Sequence, residues 1–183
     1  LAERCKEIKE VGSKVKYIHN VKGGNYRIDP IQAIVLDEKL KHLDKWNAYR
    51  RKFAQYYENI VNEEIEVPLT KPAPWCTEQV FHIFPVLVGD TAAERQELMN
   101  YMQEQGSQVG IHYPICIEET GAYSNLGTKN FNPITRKNAD RLVSLPIHPF
   151  MTPEDCLKVV KILNSWKSEK KAVEQLAPRA ERV

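Results

Sequence analysis

The sequence predicts an α/β (α+β) fold in which a long connecting helix leads into a small C-terminal α/β sandwich. Three observations carry this. A well-marked helix start stands at Asp29-Pro30, and apolar residues recur at helical spacing behind it. Two apolar runs, VFHIFPVLVG (80–89) and QVGIHYPI (108–115), read as strands. Amphipathic helical stretches lie between and after them, at 91–105 and from Thr152-Pro153-Glu154-Asp155 to about Trp166.

Taken in order, LAERCKEIKEVG (1–12) reads as the end of a helix with Gly12 as its C-cap. Residues 13–28 form a loop with strand-like pieces and the Gly23-Gly24 pair. Asp29 is suited to the N-cap, Pro30 to the first helical position, and Gln32 stands close to a capping-box position. Ile31, Val35, Leu36, Leu40, Leu43, Trp46, Phe53, Tyr57 and Ile60 then predict one helix over 29–62. At 1.5 Å per residue it would be roughly 50 Å long, a linker or an oligomer interface. Pro68, Pro72 and Pro74 mark a loop. Pro85 makes its strand an edge or a bulged one. Leu98, Tyr101 and Met102 face inward on the next helix, which Gly106 ends. Pro114 turns the second strand, 116–143 holds short helices and a Gly/Asn loop, and the charged tail 167–183 is expected to fray.

The 183 residues carry a formal net charge of +2, with 42% apolar and 27% charged residues. That balance argues against nucleic acid and against an anionic membrane as partners. No apolar run is long enough to span a bilayer. The first residues form a charged amphipathic segment without a signal-peptide core or an initiator Met, which points to a cytoplasmic chain that begins inside a longer protein. Cys5, Cys76, Cys116 and Cys156 form no CxxC pair and sit at no metal-ligand spacing from a His, so free thiols and no metal are expected.

Two places invite chemistry. Asn25 and Arg27 stand just before a helix N-terminus, where free N–H groups and the helix dipole favour an anion. Equally, Asn25 can serve a left-handed turn and Arg27 can be solvated. His112-Tyr113 ends a strand, where an imidazole and a phenol can face a ligand or pack the sheet edge. His82 and His148 read as structural, and His19 and His42 as solvated. Glu118-Glu119 are neighbours and do not converge on one substrate. GxSxG, P-loop and GxGxxG patterns are absent.

The string GSKVKYIHNVKGGNYRIDPIQAIVLDEKLKHLDKWNAYRRKFAQYY adds a resemblance. It is similar to the second half of the DegT/DnrJ/StrS sugar aminotransferases, pyridoxal-phosphate enzymes of fold type I. The family pattern G-x-N-x-R-x-D-x-x-Q-A-x-x-L stands here as Gly24, Asn25, Arg27, Asp29, Gln32, Ala33 and Leu36. Lys39-Leu40, Leu43-Asp44, Trp46-Asn47 and Arg50 continue it, and VFHIFPVLV, RQELMNYMQEQG, VGIHYPI and SLPIHPFMTPED follow in the family's order. The opening GSKVKYIHN most resembles members that aminate nucleotide-linked 3-keto-6-deoxyhexoses.

The resemblance implies roles. Asn25 matches the loop Asn that reaches across the dimer to the neighbour's cofactor phosphate, and Arg27 matches a basic residue beside it. His112 and Tyr113 match the HYP segment near the sugar. It further implies a homodimer built through the 13–28 loop and the long helix, pyridoxal phosphate shared across that dimer, a nucleotide sugar and a glutamate-type amino donor. The domains would be the end of the large cofactor domain (1–28), the connecting helix (29–62), the small domain (63–166) and a flexible tail (167–183). Where members often continue HYPxPxH, this chain reads HYPICIEE, with Cys116 for Pro and Glu118 for the second His. The family's Schiff-base Lys lies upstream of the matched region. The chain is therefore expected to hold no catalytic residue, to be inactive alone, and to be the C-terminal part of an aminotransferase. The alternative is a non-catalytic dimerisation or interaction module derived from the family.

Overall fold

The computed structural model describes residues 1–60, 74–123 and 133–176. The chain divides into two units, Leu1–Asp44 and Lys45–Val183.

In the first unit, α1 (Ala2–Lys9) runs into an antiparallel hairpin of β1 (Ser13–Val15) and β2 (Ile18–His19), with Ser13 opposite His19. The last carbonyls of α1 have no partner inside the helix, and the following chain returns to supply them. Gly12 N–H bonds the Glu7 carbonyl at 2.9 Å, Gly24 N–H that of Ile8 at 3.0 Å, and Tyr26 N–H that of Lys9 at 3.1 Å. The Gly23-Gly24 pair is thus seated against the end of α1. A Cβ on Gly23 would lie 2.4 Å from the Gly12 nitrogen and 2.5 Å from the Ile8 oxygen. These glycines permit contact between backbones.

The start of α2 (Pro30–Leu40) is as expected: Asp29 Oδ1 accepts from Ile31 N–H at 2.8 Å and Pro30 fills the first turn. Its end corrects the single helix expected over 29–62. The helix stops at Leu40 and α3 (Leu43–Ile60) begins afresh. At the break His42 N–H bonds the Lys39 carbonyl at 3.0 Å, three residues back. The apolar stripe continues across this tight turn, which uses neither Gly nor Pro, so periodicity alone reads straight through it.

In the second unit, α3 is followed by β3 (Phe84–Leu87), α4 (Ala92–Glu104), a 3-10 turn (Ile117–Glu119), α5 (Pro133–Arg141), β4 (Leu142–Leu145) and α6 (Pro153–Leu176). β3 and β4 pair antiparallel, Phe84 with Leu145 through Leu87 with Leu142. The core lies between this pair and the helices. It holds Phe53, Ala54 and Tyr57 of α3, Leu98 and Met102 of α4, Val86 and Val143 of the strands, and Val159, Val160 and Leu163 of α6. Arg50 on α3 donates to the carbonyls of His82 (3.2 Å) and Ile147 (3.0 Å), tying the helix to the segments before β3 and after β4.

The strand expected over 108–115 is corrected to a single bridged pair, Gly110 with Ser144. Ser144 donates its N–H to Gly110 at 2.7 Å and accepts from Gly110 N–H at 3.1 Å. Its backbone groups therefore point away from β3, and Pro85, directly opposite on β3, breaks no ladder bond by lacking an N–H.

The tail is corrected in part. α6 continues to Leu176, because charged residues past Trp166 find partners on α4. Tyr101 Oη donates to Glu169 at 3.0 Å, and Lys170 pairs with Glu94. Residues 177–183 and the expected turns at Pro68 and Pro72 lie outside the described residues.

Glu94 also completes the capping box of α4, accepting from the N–H groups of Asp90 (2.6 Å) and Thr91 (3.2 Å). The Lys170 hydrogen bond first, then these N–H groups, hold its carboxyl down to about 2, from an ordinary 4.5. A depressed folded-state pKa stabilises above the unfolded value, and that contribution is lost as pH falls through the folded one. We expect Glu94→Gln to cost about 1 kcal/mol at neutral pH. The gap to wild type should close as pH falls from 4.5 toward about 2. Urea unfolding across that range reads it, and a gap that does not change with pH would contradict the assignment.

Candidate functional site

Asn25 and Arg27 stand on the segment between β2 and α2, in the first unit. Asn25 forms an isolated antiparallel bridge with Glu10, so its backbone is anchored at the end of α1. Its side chain is exposed, and the amide has no hydrogen-bond partner among the described residues. Arg27 is engaged differently. Its Nε donates to Glu10 Oε2 at 2.8 Å and its Nη2 lies 2.6 Å from the same oxygen. That hydrogen bond holds the Glu10 carboxyl below its ordinary range, and Glu10 in turn raises Arg27. The pair is exposed and adds little stability. Its effect is to aim the guanidinium and to offset part of its charge.

His112 and Tyr113 belong to the second unit. With Cys116, Ile117, Asn138 and Leu142 they line a cleft of about 620 Å³, a size that suits a small organic ligand. The peptide between them is cis and their rings meet edge to face at 5.7 Å. His112 Nδ1 lies 2.9 Å from Ser144 Oγ. The imidazole packs over Gly110, where a Cβ would come within 3.1 Å of His112 Cε1. Cys116 is buried, and its N–H bonds Glu119 Oε2 at 3.3 Å, while Glu119 pairs with Arg136. Glu118, the residue standing for the family's second His, is not among the residues that line the cleft. Each pair of candidates is thus brought together within its own unit.

Local contacts account for several of the other histidines. His148 Nδ1 accepts from Phe150 N–H at 3.2 Å, a structural role as expected, whereas His82, also expected to be structural, is exposed ahead of β3. His19, expected to be solvated, bonds the Val11 carbonyl through Nδ1 at 2.9 Å. The four cysteines are free, and no cluster of metal-ligating side chains occurs among the described residues. No described helix is long and apolar enough to cross a membrane.

Sequence reasoning missed two partners, Glu10 for Arg27 and Ser144 for His112. The second left a trace: in Leu142-Val143-Ser144-Leu145 the lone hydroxyl alternates with apolar neighbours, as a residue on the opposite strand face does.

A helix-flanked antiparallel pair with these elements in this order is the architecture of fold type I sugar aminotransferases. The chain belongs to the DegT/DnrJ/EryC1/StrS aminotransferase family, whose model matches residues 1–164. Among curated relatives it is 38% identical over 167 residues to the dTDP-3-amino-3,6-dideoxy-alpha-D-galactopyranose transaminase of Aneurinibacillus thermoaerophilus, covering 91% of this chain and 44% of that protein. It is 35% identical over 166 residues to the erythromycin biosynthesis sensory transduction protein EryC1 of Saccharopolyspora erythraea, covering 90% and 44%. DesV of S. venezuelae, solved in complex with a ketimine intermediate, superimposes with a TM-score of 0.77 at 32% identity, over 90% of this chain and 43% of that one. The chain therefore spans less than half the length of the relatives it matches.

Proposed function

We propose that this chain supplies the small domain and a phosphate-reaching loop of a pyridoxal-phosphate-dependent aminotransferase that acts on a nucleotide-linked keto-deoxysugar. The observation that carries the reading is the exposed amide of Asn25, without a partner among the described residues, on a loop whose root is bonded at three points to the end of α1. The backbone beneath that donor is already ordered, so an arriving phosphate has only the side chain to order. The residues fit the group. The Asn25 amide offers N–H donors, and Arg27 keeps Nη1 without a partner among the described residues. Glu10 opposes an anion, so the amide is the cleaner phosphate ligand of the two.

When bound, pyridoxal phosphate would supply the electron sink for amino transfer. The chain's own residues bind and orient. Asn25 donates to a phosphate oxygen of the cofactor held by a neighbouring subunit, and Arg27 adds positive field beside it. His112 and Tyr113 hold oxygens of the sugar, while Ile117 and Leu142 keep water from that side of the cleft. A glutamate-type donor provides the amine, and no catalytic residue is assigned to this chain. The homodimer forms through the 13–28 loop and α2, whose Ile31, Ile34 and Leu40 are 74%, 70% and 64% exposed. We place the protein in the cytoplasm. The same exposed face of α2 is also what a non-catalytic dimerisation module of this family would present.

In the intact protein, Asn25→Ala should weaken cofactor retention about 10–100-fold, the effect of losing one hydrogen bond to a charged group. Equilibrium dialysis against pyridoxal phosphate reads it. Unchanged affinity would remove Asn25 from the site. An intact protein that dimerises through α2 and retains no cofactor would establish the module instead.

A further inference from the structure

We propose that Ser144 is a positioning residue that holds His112 in the Nε2–H form, making the imidazole a hydrogen-bond donor toward the cleft. As to what it donates to, the inference rests on the reading that this cleft takes the sugar; as to which nitrogen carries the proton, it stands alone.

Ser144 is 5% exposed, and its backbone is fixed on both sides. Its N–H and C=O close the bridge to Gly110, and its strand pairs with β3. The side chain therefore has little freedom to turn elsewhere. A buried hydroxyl proton needs an acceptor. Among the described residues, the His112 ring nitrogen Nδ1, at 2.9 Å, is the partner that Ser144 Oγ has. If Nδ1 carried the proton and donated to Oγ, the hydroxyl proton would be left buried without an acceptor among the described residues. The hydrogen-bonding inventory thus assigns the lone pair to Nδ1 and the proton to Nε2.

Gly110 completes the seat. Its missing side chain leaves the space the ring occupies, and Tyr113 meets the ring edge on. With Nδ1 occupied by Ser144, neutral His112 offers its remaining nitrogen as a donor to a ligand oxygen, such as a sugar hydroxyl, a keto oxygen or a diphosphate. It does not offer a base there.

The test is the 15N spectrum of the imidazoles in the 183-residue chain, taken in alkaline buffer. His112→Gln assigns the resonance among the five histidines. The wild-type chain should show Nδ1 unprotonated and Nε2 protonated. Ser144→Ala should move both shifts toward the averaged values of a free imidazole, and Ser144→Thr should restore them. A protonated Nδ1 in the wild type, or a Ser144→Ala spectrum identical to it, overturns the proposal. A second arm uses the intact, cofactor-loaded enzyme. Ser144→Ala should raise KM for the nucleotide sugar about tenfold, the equivalent of one well-placed hydrogen bond, with a smaller change in kcat. Unchanged KM together with the expected spectral shift would overturn the sugar-binding role of His112 and leave its positioning by Ser144 standing.

Discussion

Tyr57→Ala should remove about 3–5 kcal/mol of stability from the second unit, as truncation of a fully buried aromatic does. Tyr57 has no exposed surface, and its ring lies 5.1 Å from that of Phe84. Its hydroxyl donates to the Pro146 carbonyl at 2.7 Å, joining α3 to the segment after β4. Burial, more than the neighbouring Cys156, pushes the phenol well above its ordinary pKa, so it stays a donor at any working pH. Truncation opens a cavity and strands the carbonyl together. Tyr57→Phe separates the two, because it keeps the ring and costs about 1–2 kcal/mol for the unpaired acceptor. Tryptophan fluorescence during urea unfolding is a selective probe, since Trp46, Trp75 and Trp166 all belong to the second unit. An alanine variant within about 1 kcal/mol of wild type would mean that the site collapses around the loss.

The other large effect falls on the first unit. Gly12 has φ +77°, and a Cβ there would meet the Val21 carbonyl oxygen at 1.7 Å. Gly106 has nearly the same conformation, φ +74°, with nothing within 4 Å. The two positions form a matched pair. Gly106→Ala should cost about 1–2 kcal/mol, the strain of a left-handed Cβ alone. Gly12→Ala bears that strain and a collision between covalently fixed backbone atoms, so the loop must leave its seat. Hydrogen exchange reads this directly. The amides of Gly24 and Tyr26, bonded to the carbonyls of Ile8 and Lys9, should lose protection in Gly12→Ala. Retained protection would show that the loop is not held by that approach.

These effects show which parts of the fold were legible. The α2 start was readable from Asp29-Pro30, because an N-cap is a local bond between residues two apart. The inward face of α4 was readable because Leu98 and Met102 obey one period. Among the described residues β3 pairs on one side alone, with β4, as Pro85 led one to expect. The break at residues 41–42 was not readable, since an apolar stripe looks the same whether or not a tight turn interrupts it. Nor was the shrinking of 108–115 to one bridge, because pairing depends on where the partner strand lies. Asn25, Arg27, His112 and Tyr113 stood out by position, but their spacing left bland readings open, and their expected roles came from resemblance. Their immediate partners were hidden for a plainer reason: Glu10 is 17 residues from Arg27, and Ser144 is 32 from His112. Contacts at that range are set by the fold as a whole.

The single bridge between Gly110 and Ser144 ties the seat of His112 to the register of β4. Side chains alternate along a strand, so a slip of one position would put Val143 or Leu145 beneath the imidazole and turn the hydroxyl toward a neighbour's place in the core. The cleft wall at Ile115 or Ile117 can be changed one residue at a time without moving a strand. The support beneath His112 has no such freedom, because the same alternation that packs the interior also delivers the serine. Inheritance can therefore retune the wall gradually, but it passes on this support only together with the strand that carries it.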